Sequence, residues 1–154
     1  VQSAKKVLAE IKRENSEQIR QIDLDSIEKL FQEVIKQYAT ESEVEAFENL
    51  VNTAQRAIDS GSNEFENYLE ELRRRNFSIW WREDWFVLER FSSLQSNPHL
   101  FVDKVMYRKL VTEGSLSAQS GDINSLRGVV ASLYQIKLGG SEDAIFDKAN
   151  IIKG

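Results

Sequence analysis

The chain is 154 residues long, 41% hydrophobic and 29% charged, with a formal net charge of -5, a balance that suits one good core or two small helical ones and neither disorder nor a membrane span. The absence of cysteine removes disulfides, thiolate nucleophiles and cysteine-ligated zinc, and it suits a reducing, cytoplasmic setting. With 25 acidic side chains against 20 basic ones, nucleic acid is not an expected partner; nor is a membrane, since no run approaches the roughly 18 consecutive apolar residues of a spanning helix.

One proline and seven glycines leave long stretches in which apolar residues return every three or four positions, so an all-α fold is predicted. A first helix is read over residues 3–22, with Leu8, Ile11, Ile19 and Ile22 on one side and a bend or break expected at Asn15 and Ser16. Asp25 followed by Glu28 has the capping-box form, which predicts a second helix carrying Ile27, Leu30, Phe31, Val34 and Tyr38 on one stripe. Thr40 with Glu43 repeats the device before Val44, Phe47, Val51, Ala54 and Ile58, and Gly61 is the expected stop. A fourth helix, residues 63–75, buries Phe65, Leu69 and Leu72 and ends on Arg73, Arg74 and Arg75, cations that suit a last turn. These elements predict an N-terminal antiparallel bundle over residues 1–76, charged on its outside.

Asn76 and Ser78 are expected to interrupt before the densest feature of the chain. Six aromatic residues, all three tryptophans among them, fall between Phe77 and Phe91, and a single helix is predicted over residues 79–94. Trp81, Trp85 and Leu88 then share one stripe, and Trp80, Val87 and Phe91 a second. The expectation is that one stripe packs on the N-terminal bundle and the other on a C-terminal hairpin, making this helix the spine between the halves. The functional alternative is that one stripe lines a groove for an apolar peptide or partner helix, because tryptophan supplies much contact area at low entropic cost. Trp80, Trp81, Trp85 and Phe91 are therefore the candidate partner-binding residues. Glu83 and Asp84 weigh against an interfacial membrane helix.

Asn97-Pro98 predicts a cap and a first-turn proline, opening a helix through Phe101, Val105, Met106 and Leu110 toward Gln119. Ser120-Gly121-Asp122 supplies a stop and a new cap, so a helical hairpin follows, with Ile123, Leu126, Val130 and Leu133 on its second arm and Gly114 and Ala118 allowing close approach. It resembles one unit of a tetratricopeptide solenoid, but no second copy recurs at a period of about 34 residues. Gly139-Gly140 is the expected end, and the tail from Ser141 to Gly154, with Ile145, Phe146, Ile151 and Ile152, is expected to dock back. Residues 77–154 are thus read as a second domain.

Catalytic constellations are scarce. His99 is the one histidine and has neither a second histidine nor a cysteine to complete a metal set. Clusters such as Glu41, Glu43, Glu45 and Glu48 read as solvated helix faces, and no phosphate-binding glycine loop is present. No catalytic residue, metal ligand or cofactor is expected in this chain. Because Val1 comes first and Met106 is the only methionine, the chain is expected to be a piece of a longer protein.

The tryptophan-rich segment, Phe101-Val102-Asp103-Lys104 leading into Leu110-Val111-Thr112-Glu113-Gly114, and Gly121-Asp122-Ile123-Asn124-Ser125-Leu126-Arg127-Gly128-Val129-Val130 together resemble the C-terminal helical region of divergent bacterial proteins of the DnaK-type, seventy-kilodalton heat-shock chaperone family. The charged helices of the first half are similar in character to that family's helical lid. The resemblance implies an ATP-hydrolysing parent with an upstream ATPase and a peptide-binding domain. Within that parent the present chain would be a non-catalytic lid extension or a surface for client polypeptides or a co-chaperone. The chain ends Ile151-Ile152-Lys153-Gly154 and not in the acidic Glu-Glu-Val-Asp tail of eukaryotic cytosolic members, so that partnership does not carry over. A stand-alone helical adaptor is the alternative.

Overall fold

The structure, a computed structural model, describes residues 1–138; Gly139-Gly140 and the apolar tail with Ile145, Phe146, Ile151 and Ile152 lie outside the described residues. The fold is all-α, built from α1 (Gln2–Leu30), α2 (Glu41–Ser60), α3 (Phe65–Trp81), α4 (Asp84–Gln95), α5 (Lys104–Ser120) and α6 (Ile123–Ile136). The chain divides into two compact units between Asn76 and Phe77, inside α3.

In the first unit α1 is longer than expected. It passes Asn15 and Ser16 without a break and takes Asp25 and Glu28 into its interior. Asparagine and serine cost a helix only tenths of a kcal/mol, so they weaken without stopping it, and the Asp25 carboxylate accepts a hydrogen bond from Gln21 Nε2 at 2.8 Å, one turn back on the helix surface. The helix ends in a widened π turn, Phe31–Ile35, in which the Lys36 N–H reaches back to the Phe31 carbonyl. A short 3-10 turn, Lys36–Tyr38, follows. Across this segment Phe31 and Ile35 are both fully buried, while Leu30 and Val34, expected inside, stay exposed.

The predicted capping box opens α2: the Glu43 N–H donates to Thr40 Oγ1 at 3.3 Å, and the Thr40 N–H to the Glu43 carboxylate at 2.8 Å. Gly61 closes the helix at φ 66°, a left-handed conformation that favours glycine. Phe47 from α2 stacks on Phe31, ring centroids 3.8 Å apart, and Leu24, Ile27, Val51, Ala54, Ile58 and Leu72 complete the core around them. At the edge Arg20 donates to both Glu66 carboxylate oxygens at 3.2 Å and to the Ser62 carbonyl at 3.3 Å. α3 runs through Asn76 and Ser78 to Trp81. The arginine triplet is therefore mid-helix and not a last turn, and Arg74 and Arg75 pair with Glu71 on the preceding turn.

In the second unit, Asn97-Pro98 does not open α5. Pro98–Leu100 is one 3-10 turn, and the Asn97 amide donates back to the Ser93 carbonyl at 2.7 Å, finishing α4. α5 begins at Lys104 with Asp103 as its cap, accepting from the Met106 N–H at 2.9 Å. α5 turns Tyr107, Leu110 and Gly114 inward and leaves Val105 and Met106 exposed. The hairpin turn is as expected. Gly121 sits at φ 74°, and Asp122 caps α6 by accepting from the Ser125 N–H at 3.0 Å and the Ser125 hydroxyl at 2.6 Å, bonds that hold its carboxyl below the usual range. Leu126, Val130 and Leu133 are fully buried. Gly114, read as a point of close approach within the hairpin, instead admits a ring from α4: a Cβ there would lie 2.6 Å from Phe91 Cζ.

Candidate protein-interaction surfaces

The aromatic run occupies two helices, not one. α3 ends at Trp81 and α4 starts at Asp84, with Arg82 and Glu83 between them. The last carbonyls of a helix have no partner within it, and here α6 supplies one. The Arg127 guanidinium donates to the Trp81 carbonyl at 3.4 Å and the Arg82 carbonyl at 3.0 Å, and it pairs with the Asp84 carboxylate at 2.8 Å. A cation suits the C-terminus of α3, and Asp84 suits the N-terminus of α4.

This break redistributes the candidate residues. Trp81 and Trp85, expected on one stripe, point differently: Trp81 is buried in the second unit's core beside Phe77, centroids 5.7 Å apart, whereas Trp85 is 45% exposed. Trp80 and Trp81, expected at separate interfaces, both pack on that same core. Phe91 is buried against Gly114 and serves the core. Of the four, Trp85 is the one that presents a large outward area, and Leu88, 41% exposed, lies one turn further along α4. Trp80 and Phe86 support Trp85 from beneath, with ring centroids at 6.2 and 5.8 Å in edge-on contact. The Trp80 indole Nε1 is buried without an acceptor. Arg90 lies over the Phe86 ring at 5.5 Å, and its hydrogen bonds to Glu89, at 2.7 and 3.0 Å, hold its pKa above the ordinary arginine range. The outward patch is thus aromatic and aliphatic at its centre and charged beside it.

The C-terminus of α4 is fixed by Tyr107, whose phenol donates to the Leu94 and Gln95 carbonyls at 3.0 and 2.8 Å. Burial raises its pKa above the usual tyrosine value. A raised folded pKa means that stability is fully present below the unfolded value, about 10, and declines as pH rises through the folded one. Tyr107→Phe is expected to cost about 1–2 kcal/mol at neutral pH, by removing the donor to two partly buried carbonyls. It should also flatten the alkaline fall in stability relative to the parent chain; urea titrations at pH values on both sides of the tyrosine range measure both effects.

A second apolar surface went unrecognised as a site in the sequence. Val7, Leu8, Ile11, Ile19 and Ile22 on α1 are 48 to 64% exposed. At 3.6 residues per turn they lie roughly half a turn around the helix from Leu24, Ile27 and Phe31, the face that enters the core. α1 therefore carries two apolar faces, and the change of phase near Leu24 is the signal by which the sequence announces them. Covering the outward face would stabilise by about 1 kcal/mol for each half-exposed aliphatic side chain.

His99 lies exposed on the 3-10 turn. Among the described residues no three histidine, aspartate or glutamate side chains gather to hold a metal ion, and no helix is long and apolar enough to cross a membrane. Comparison with protein-family models, with curated proteins and with solved structures gave no match to this chain.

Proposed function

We propose that the chain is a non-catalytic helical module for protein interaction, with the outward face of α4 as its docking surface. The observation that carries this reading is Trp85, a tryptophan held nearly half exposed on a rigid base of Trp80 and Phe86 and followed by exposed Leu88. A pre-positioned aromatic anchor loses little entropy when a partner covers it. Its chemistry fits an apolar stretch of polypeptide, such as an unfolded client segment or a co-chaperone helix.

The narrower form of the proposal sets this module at the C-terminal end of a DnaK-like chaperone, as a lid extension or client surface, with ATP bound and hydrolysed elsewhere in the parent. It is supported by the resemblance of the tryptophan-rich segment and of the Gly114 and Gly121-Asp122 stretches. Those glycines and Asp122 have local structural duties here, admitting Phe91 and turning the hairpin, so what they bring across is architecture. The stand-alone adaptor has the same docking surface without the ATPase.

Titration with a permanently unfolded, alkylated model protein, read by tryptophan emission, tests the module. A blue shift is expected, and Trp85→Ala should weaken binding by about tenfold or more, the effect of a hot-spot anchor. Saturable binding that is indifferent to Trp85→Ala, or no binding at all, counts against the proposal. The coding sequence upstream of Val1 separates the two forms: an ATPase followed by a peptide-binding sandwich supports the chaperone, and a lone start codon leaves the adaptor.

A further inference from the structure

We infer that the outward face of α1 is a self-association seam on which a second copy of this chain docks, the two α1 helices lying parallel and in register from Ala4 to Ile22. Ala4, Leu8, Ile11, Asn15, Gln18 and Ile22 follow one another at spacings of four, three, four, three and four. That is the repeat of a two-stranded coiled coil, with Leu8, Asn15 and Ile22 at one seam position and Ala4, Ile11 and Gln18 at the other. The seam is about 27 Å long. It faces away from Leu24, Ile27 and Phe31, so a partner helix can follow its whole length without meeting the first unit's own core.

The polar residues decide which partner fits. Asn15 and Gln18 sit in the middle of the seam, and a purely apolar partner would bury both amides without hydrogen bonds. A parallel, in-register copy sets Asn15 against Asn15 and Gln18 against Gln18, and an amide is its own complement, carrying both donor and acceptor. The flanking positions agree. In the parallel pair Val7 meets Lys12 of the second copy and Glu14 meets Ile19, so no like charges oppose. In an antiparallel pair over the same seam Lys12 would face Lys12 and Glu14 would face Glu14 of the second copy, like-charge contacts that the parallel pair avoids.

The side chains from Gln2 to Ser16 are all exposed, so this stretch draws no support from a core, and isolated helices of about 15 residues are marginal in water. Pairing along the seam supplies the missing support, which couples helix content to chain concentration.

The test uses the full chain in sedimentation equilibrium and far-UV circular dichroism over a wide concentration range. A monomer–dimer equilibrium with helicity rising alongside the dimer is expected. Ile11→Asp should weaken dimerisation by about a hundredfold, because it buries a charge at the seam, and should leave the cooperative melt of the diluted monomer unchanged because Ile11 lies outside the core. The chain has no cysteine, so Ala4→Cys places one thiol on the seam. Under mild oxidation it should cross-link the parallel dimer to completion, whereas an antiparallel pair holds the two thiols far apart. A monomer at every concentration, a dimer indifferent to Ile11→Asp, or a dimer that Ala4→Cys does not cross-link overturns the inference.

Discussion

Phe47→Ala is expected to lower the free energy of unfolding by about 3–5 kcal/mol, the range for emptying a buried aromatic site. Phe47 has no exposed surface and stacks nearly parallel on Phe31, the rings inclined by 13°. Truncation therefore removes one ring and strips a face of the other. The neighbours offer little repair, because Phe31 opens the π turn at the end of α1 and is itself fully buried. For a chain of this size the midpoint should fall by about 2–4 °C per kcal/mol. Phe47→Leu should recover part of the loss, and a double-mutant cycle with Phe31→Leu should return a coupling of about 0.5–1.5 kcal/mol for the ring pair. A loss below about 1 kcal/mol for Phe47→Ala, less than a single deleted methylene or two would explain, would show that the stack is not the centre of the first unit's core.

Gly114→Ala is expected to destabilise by about 1–3 kcal/mol, although alanine is the better helix former by about 1 kcal/mol. The added methyl would fall within the Phe91 ring edge, and that ring is itself buried in the second unit's core. The sign of the change is the informative result. Gly128, on α6, has nothing within 4 Å of the corresponding position, so Gly128→Ala should stabilise by up to about 1 kcal/mol. Equilibrium urea unfolding of the two variants side by side separates helix propensity from packing. Phe91→Leu, introduced with Gly114→Ala, should relieve much of the clash; if the pair is no better than additive, Phe91 is not the group that requires a glycine.

The parts of this fold that local chemistry dictates were legible in the residues. Thr40 with Glu43, Gly61, and Gly121-Asp122 act through their immediate neighbours, and each does in the structure what its spacing implied. The apolar stripe of α2 was readable for the same reason. Helix ends without a strong breaker were not. Asp25 and Glu28 could open a helix, but no preceding residue leaves helical geometry, and Asn76 and Ser78 are residues that a packed helix tolerates. The candidate site was less legible still. The turn between Trp81 and Trp85 depends on Arg127, 43 to 46 residues away, and the need for glycine at position 114 depends on a ring from another helix. Of the proposed contact residues, Trp81 and Phe91 proved internal, Trp80 a support, and Trp85 the outward surface. The second face of α1 was written in the sequence as a shift of phase, which a single-stripe reading averages away.

Arg127 holds both ends of the α3–α4 turn with one planar group, and the three links differ in kind. Those to the Trp81 and Arg82 carbonyls are hydrogen bonds to neutral acceptors, while that to Asp84 joins two full charges, with Asp84 itself well exposed. Added salt screens the charged link far more than the other two. The angle at which α4 carries Trp85 is set on the α3 side by bonds that salt leaves alone and along α4 by buried Phe86, Val87, Phe91 and Leu94, so the aim of the tryptophan is a property of packing and outlasts the loss of the Asp84 link.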